Sequence, residues 1–342
     1  MLFSEDKLVQ QYLLSQNDGS LDESLILFTT SLLQHGWAKI ELSDQSFSLI
    51  KEWEQVFSNV FVQSPEELCE RGFYRSLDGV SVGYRGEKEK IMEINSKPDL
   101  SNSKEQIHVN QISSQIKGDR EFIECRLQSD GLPNPNYNVL YYTEVVRNIY
   151  KVVSRIGFIL LQLIAVTLGL DPSTFTDLTD LTYDRLDNCK DMNNSEGHQM
   201  GLSSSFLRIC KYIGGIETVQ NMLDHDKVAS KFGSHTDTSF LTIGLTSSTP
   251  GLDLFDLVEK KWIEAEKNQP QHIVNVFIGE FLQVLTNHYV QACVHRVNDF
   301  PKEFTRISCP MIIRANNRKT LEYLNPKRYR HPHYSFLYEA LD

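Results

Sequence analysis

No Cys-x-x-Cys pair occurs in this chain, although it carries six cysteines, at 69, 125, 189, 210, 293 and 309. Without such pairs or a disulfide framework, the thiols are expected to be reduced and mostly buried, in a reducing compartment such as the cytoplasm. Positive charge is also in deficit: 34 Lys and Arg against 45 Asp and Glu give a formal net charge of −11. Nucleic acid and anionic membranes both require a positive surface, so neither is expected as a partner. Long apolar runs are missing as well. The longest, Ile156 to Leu170, has fifteen residues and includes Gln162, which predicts a buried helix rather than a comfortable membrane span. The opening residues Met1-Leu-Phe-Ser-Glu-Asp-Lys7 show no basic region followed by an apolar core, so no signal peptide is expected.

What is present is ordinary for a globular enzyme-sized chain: 342 residues, 40% hydrophobic and 23% charged. Helical spacing predicts a short helix over Leu8–Leu14 and a better one from Asp22 to His35, ended by Gly36. A strand over Trp37–Leu42 follows. A helix through Phe61 is expected next, capped by Asp44 or Ser46, with its aromatic stripe in the core. Residues 71 to 136 are interrupted by glycines and polar runs, and only Arg120–Arg126 resembles a strand there. Tyr141–Leu170 is the strongest predicted helix, stopped by Asp171-Pro172, with a short turn continuing through Phe175. Beyond it, strands are expected over 206–212, 240–245, 252–257, 273–278, 281–285, 290–296 and 306–314. Short strands separated by turns such as Thr249-Pro-Gly251 predict a double-sheet jelly roll. The expected organisation is an N-terminal α+β region over 1–136 packed on 137–342, which holds the long helix and a jelly-roll core at about 203–315. The two parts are expected to form one integrated unit.

Chemistry concentrates between Lys231 and Ser308. His235-Thr-Asp237 and, 58 positions after the aspartate, His295 provide two imidazoles and a carboxylate. That set is the facial triad of non-haem Fe(II) oxygenases, which leaves three coordination positions open. On a β-strand the i and i+2 side chains share a face, so His235 and Asp237 are expected to point at one ion. Arg306 and Ser308 repeat that spacing, and a guanidinium beside a hydroxyl suits a carboxylate ligand. Other metal-like stretches lack a comparable partner set: Asp224-His225-Asp226 sits in a charged loop, and His331-Pro-His333 in the aromatic tail. Cys210, Cys293 and Cys309 fall on predicted strands with no His or Asn motif beside them, so they read as small core residues rather than nucleophiles.

Around these residues the chain resembles the Fe(II)- and 2-oxoglutarate-dependent dioxygenases, within the branch of isopenicillin N synthase and the plant flavonoid and gibberellin oxygenases. The resemblance is carried by Ser205-Phe-Leu-Arg-Ile-Cys-Lys-Tyr212, His235-Thr-Asp-Thr-Ser-Phe-Leu-Thr-Ile243, Gly251-Leu-Asp-Leu-Phe255, Val274–Asn287, Val294-His-Arg-Val297 and Arg306-Ile-Ser308. It implies a double-stranded β-helix with Fe(II) held by His235, Asp237 and His295. It implies 2-oxoglutarate as cosubstrate at Arg306 and Ser308, with Tyr212 as a further contact. Dioxygen as oxidant, ascorbate as an activator, and succinate and CO2 as coproducts follow from the same resemblance. The expected reaction is oxidation, by default hydroxylation, of a small organic molecule, with no obligate protein partner. Three positions depart from the family's usual residues: Cys210 for Asn, Glu280 for Asp and His288 for Gly. The loss of the Asn amide bears on a cosubstrate contact. An isopenicillin N synthase-like oxidation without 2-oxoglutarate, and a jelly-roll binding protein without turnover, remain open alternatives. Substrate entry is expected along residues 188–201, as a lid, and under the aromatic tail from Lys319.

Overall fold

Capping chemistry sets the helix boundaries near the N-terminus. The computed structural model describes residues 2–18, 22–63, 74–77, 80–85, 120–127, 133–134, 140–179, 181, 203–215 and 230–316. The chain opens with β1 (Leu2–Ser4) and α1 (Glu5–Asp18), longer than the helix predicted there. α2 (Glu23–His35) begins at Asp22, whose carboxylate accepts the Ser24 N–H at 2.8 Å, and ends at Gly36 with φ 82°. Glycine carries that left-handed turn at no Cβ cost. β2 (Trp37–Glu41) follows directly.

The single helix expected through Phe61 is two, α3 (Asp44–Ile50) and α4 (Trp53–Val60), with Ser43 rather than Asp44 or Ser46 as the side-chain cap. No Pro or Gly marks the break, so helical periodicity runs through it unchanged. A tertiary contact accounts for the break: Glu54 accepts Ser248 N–H at 3.0 Å and Gln271 Nε2 at 2.7 Å, turning α4 toward the loop around Ser248. Trp53 and Phe57 are thereby buried.

β3 (Tyr74–Leu77), β4 (Val80–Arg85), β5 (Arg120–Leu127) and β6 (Pro133–Asn134) come next, then the long helix α5 (Leu140–Thr167) and α6 (Ser173–Thr176). The remaining strands are β7 (Phe206–Ile213), β8 (Ser230–His235), β9 (Leu241–Leu245), β10 (Leu252–Asp256), β11 (Lys261–Glu264), β12 (Ile273–Ile278), β13 (His295–Asn298) and β14 (Thr305–Ile313). Between β12 and β13 lies α7 (Glu280–Leu285), where the hydrophobic pattern predicted a strand. Five residues are too few to separate the two periods. Gly279 starts the helix, and Leu282 and Leu285, one turn apart, are both buried. The strand expected over 290–296 begins only at His295 and runs on to Asn298 as β13, and β8 and β11 are additions.

Two facing sheets result. The larger runs β1-β2-β12-β9-β14-β7-β5-β4-β3 and the smaller β11-β10-β13-β8. Alternation along β14 shows how the layers divide: Ile307, Cys309, Met311 and Ile313 join the main core with the helices, whereas Arg306, Ser308, Pro310 and Ile312 line the space between sheets. α5 covers the outer face. It is apolar and long enough to pass for a membrane span by composition, but most of that stretch is buried within the fold. Gly157 lets α5 approach β14, since a Cβ there would lie 2.3 Å from Ile313 Cδ1. The Tyr150 hydroxyl donates to Cys125 O and accepts Leu207 N–H, pinning α5 to β5 and β7 at once. Mainly β with added helices, the architecture is the jelly roll expected.

α7 ends in a Schellman turn: Asn287 N–H reaches Val284 O, and His288 N–H reaches Gln283 O. Both Asn287 and His288 adopt positive φ, 52° and 63°. His288 therefore carries left-handed strain of about 1 kcal/mol that glycine avoids, partly offset by glycine's larger unfolded-state entropy. His288→Gly is expected to raise the urea midpoint slightly, by no more than about 1 kcal/mol of stability. A fall in the midpoint would show that the His288 side chain outweighs the backbone term.

Candidate metal centre

His235 ends β8 and His295 begins β13, and the two are direct cross-strand partners in the smaller sheet. Their rings lie 4.1 Å apart between centroids. Asp237 is not on the strand with His235, as i, i+2 alternation predicted, but in the turn after it. That turn is built by the start of α7, where Glu280 N–H donates to Asp237 O at 2.8 Å and Phe281 N–H to Ser239 O at 2.8 Å. The Glu280 carboxylate also accepts the hydroxyls of Thr236 and Thr238. Glu280 thus positions the turn that carries Asp237, a role that the charge-conserving departure from Asp did not reveal.

One carboxylate oxygen, Asp237 Oδ1, is 3.8 Å from His235 Nε2 and 3.7 Å from His295 Nε2. The three donor atoms lie within 4.8 Å of one another. The other oxygen, Oδ2, accepts the buried Thr242 hydroxyl at 2.6 Å. Each imidazole turns its Nδ1 to a backbone carbonyl, Gly233 O at 2.8 Å and Cys293 O at 3.3 Å. A carbonyl only accepts, so Nδ1 carries the proton and the Nε2 lone pair faces the centre. Burial holds the His295 imidazole down to about 4, with the Asp237 charge opposing and His235 adding to that shift. Neutral imidazoles beside an anionic carboxylate are the state a divalent cation requires.

Arg306, Ser308 and Tyr212 line the same pocket, which encloses about 630 Å³ including its open mouth. Register explains their meeting: Arg306 lies opposite Tyr212, and Ser308 opposite Cys210, on β14 and β7. Arg306 is 2% exposed and already holds a partner, because Glu266, also buried, faces its Nη1 at 3.1 Å and its Nη2 at 3.2 Å. Its Nη1 also donates to Thr249 O at 3.0 Å, while Nε is buried with no acceptor among the described residues. Glu266 in turn accepts the N–H groups of Gly251 and Leu252 at 3.0 and 3.1 Å. Neither Glu266 nor Arg208, which also lines the pocket, was found from sequence. Arg208 was accessible to that reading, because it alternates with Cys210 and Tyr212 on β7. Glu266 follows β11, and no sequence pattern marks it.

Cys125, Cys210, Cys293 and Cys309 are free, buried thiols, as expected, and burial pushes Cys293 up to about 12. The stretches at 188–201, 224–226 and 319–342, together with Cys69 and Cys189, lie outside the described residues.

Comparison with known proteins agrees with this geometry. A family model described as the 2OG-Fe(II) oxygenase superfamily matches residues 205–315. Clavatol oxidase claD of Penicillium crustosum is 28% identical over 156 residues, covering 46% of this chain and 38% of that protein. The 1-aminocyclopropane-1-carboxylate oxidase homolog 10 of Arabidopsis thaliana is 29% identical over 189 residues, 55% of this chain and 42% of that protein. The chain therefore spans about two-fifths of the length of these curated relatives. A full-length Neurospora crassa protein, solved in complex with alpha-KG, shares the fold with a TM-score of 0.62 at 16% identity, over 99% of this chain and 95% of that one. AtDAO1 (dioxygenase for auxin oxidation 1) of Arabidopsis thaliana, solved with 2-oxoglutarate, gives 0.57 at 16% identity over 97% and 98%. Over residues 205–315, less than half of the chain, the similarity is to the 2OG-Fe(II) oxygenase superfamily.

Proposed function

We propose that this protein is a non-haem Fe(II)- and 2-oxoglutarate-dependent oxygenase that oxidises, by default hydroxylates, a small organic molecule. The observation that carries this reading is the convergence of His235, Asp237 and His295 with Arg306, Ser308 and Tyr212 in one pocket between the two sheets. The residues fit both groups. Two imidazoles and one carboxylate suit Fe(II), and the buried Arg306 Nε, without an acceptor among the described residues, is a donor that a ligand carboxylate would satisfy.

When bound, Fe(II) and 2-oxoglutarate supply the oxidising chemistry, in which dioxygen is divided between succinate, formed with loss of CO2, and the substrate. The chain supplies position and dryness. Backbone carbonyls fix both imidazole tautomers, Thr242 orients Asp237, and Phe232, Phe277, Leu252 and Val297 form an apolar lining that limits water. Arg306 and Ser308 anchor the distal end of the cosubstrate, and Tyr212 adds a hydroxyl on the same wall. The acidic composition supports a protein without nucleic-acid or anionic-membrane partners, and the cysteines without a pairing framework support a cytoplasmic one.

Glu266 favours one second reading. Because it neutralises Arg306, the clamp attracts a dianionic cosubstrate less than a free arginine would, which leaves room for an oxidation that draws all its electrons from the substrate. Anaerobic titration with Fe(II) and then 2-oxoglutarate separates the two. A saturable visible charge-transfer band, absent in His235→Ala, is the expected result. Iron binding without the band would turn the assignment to the cosubstrate-free oxidase, and no iron binding would defeat both.

A further inference from the structure

Opposite in sign to the chain as a whole, a cluster of arginines stands behind the wall of the pocket that Arg208 lines. β5, β7 and β14 lie side by side, and register places Glu124 opposite Arg208 and Phe122 opposite Cys210 on β5 and β7. Phe122, Glu124 and Arg126 therefore share the face that Arg208 presents, which also lines the metal pocket. Arg314 follows β14 at the same two-residue alternation as Arg306, Ser308, Pro310 and Ile312.

Two guanidinium groups here share one carboxylate, and a third, that of Arg314, does not reach it. Glu124, 5% exposed, accepts Arg126 Nη2 at 2.7 Å and Nε at 3.0 Å through Oε1, and Arg208 Nη2 at 2.8 Å through Oε2. Arg126 spends Nη1 on the carbonyls of Ser203 and Ser204. Both Arg126 and Arg208 stack on Phe206, 4.6 and 4.7 Å from its centroid, which fixes the guanidinium planes without supplying an anion. Arg208 Nε is buried with no acceptor among the described residues. Arg314 rests near Phe281, 5.7 Å from the ring centroid, and its guanidinium has no acceptor among the described residues. Burial and the neighbouring Arg126 and Arg208 charges both push the Arg314 guanidinium down, a sign of crowding by like charges. Burial also works against the Arg208 charge, but Glu124 outweighs it and holds the guanidinium up, with Asp237 a minor contributor.

We propose that this cluster of Arg126, Arg208 and Arg314 binds the anionic group of the substrate, so that the substrate is an organic anion, a carboxylate or a phosphate monoester. Among the described residues two positive charges are left over after Glu124 is counted, and a purely structural cluster has no use for a third arginine with no acceptor among them. An oxyanion held on Arg208, which lines the pocket with Asp237 and His235, leaves the carbon skeleton of the ligand directed toward those two residues. This inference rests on the oxygenase reading for the reaction but not for the binding.

The test uses saturation-transfer NMR on the full chain, loaded with Zn(II) and saturating 2-oxoglutarate. The probes are two matched pairs, phenylacetate with methyl phenylacetate and phenyl phosphate with phenol. At least one anion is expected to bind about tenfold more tightly than its neutral partner, the scale of a charge-assisted hydrogen bond. Preference for phenylacetate alone identifies a carboxylate ligand, and for phenyl phosphate alone a phosphate. The preference should vanish in the Arg208→Gln, Arg314→Gln double variant, persist with lysine at both positions, and grow in Glu124→Gln. Thermal melting of each variant separates misfolding from lost recognition, and Arg314→Gln alone should still halve the preference or more if the double variant does not fold. Equal binding of acid and neutral partner, undetectable binding of both anions at millimolar concentration, or a preference indifferent to the arginines would overturn the proposal. A protein that forms the charge-transfer band without anion preference keeps the oxygenase reading and loses this one; preference without the band does the reverse.

Discussion

Asp237→Ala is expected to weaken divalent-metal binding at least about a hundredfold while leaving the fold almost unchanged. Removing even an outer-shell partner of a metal site costs about ten- to a hundredfold, and Asp237 is the one anionic member of its donor set. Two neutral imidazoles would remain, with no charge to offset desolvation of the ion. The fold tolerates the change because Asp237 is held chiefly by its backbone, whose carbonyl accepts the Ser239 and Glu280 N–H groups. Thr242 loses an acceptor but keeps the Ser239 hydroxyl at 3.1 Å. Calorimetric titration with Mn(II) measures the affinity, and the metal-dependent rise in melting temperature should disappear with it. Retention of metal affinity would place the ion elsewhere.

Arg306→Leu carries the second large effect, and the structure changes what it reports. From sequence, the guanidinium has only a ligand as its counter-ion, so the substitution would act on cosubstrate binding alone. In the fold its counter-ion is Glu266, and both side chains are buried. Removing one member of such a pair costs about 3–5 kcal/mol. The Gly251 and Leu252 N–H groups still support Glu266, so the lower end of that range is expected. Urea denaturation of Arg306→Leu, Glu266→Gln and the double variant forms a cycle. Each single variant is expected to lose stability, and the double variant to recover most of it.

Cosubstrate affinity should move differently in the same variants. Arg306→Leu is expected to lower 2-oxoglutarate affinity at least about a hundredfold with metal binding intact, on the same scale of about 3 kcal/mol or more. Glu266→Gln frees the positive charge and is expected to tighten 2-oxoglutarate while destabilising the empty protein. Equal 2-oxoglutarate affinity in all three would remove Arg306 from the cosubstrate site.

Local order in the sequence carried a long way. The hydrophobic stripe of α2, its Asp22 and Gly36 caps, the length of α5 and the alternation along β14 were legible because each depends on neighbours within a few residues. That His235, Asp237 and His295 would meet was legible from the ordered set and the sequence around it, since a His-x-Asp alone is common. Where two local patterns compete over a few residues, the reading failed, as at α7, and where a remote contact breaks a periodic helix it could not succeed, as at Glu54 between α3 and α4.

Tertiary structure decided the electrostatics. Sequence placed one arginine and one hydroxyl at the clamp, but only the approach of the segment after β11 to β14 puts the Glu266 carboxylate on Arg306, and only the register of β5 on β7 gathers Arg126 and Arg208 around Glu124. Strand alternation names the face on which a side chain lies. Which charges meet on that face depends on strands more than eighty residues apart in the chain, as with Glu124 and Arg208, and on burial strong enough to make their pairing matter.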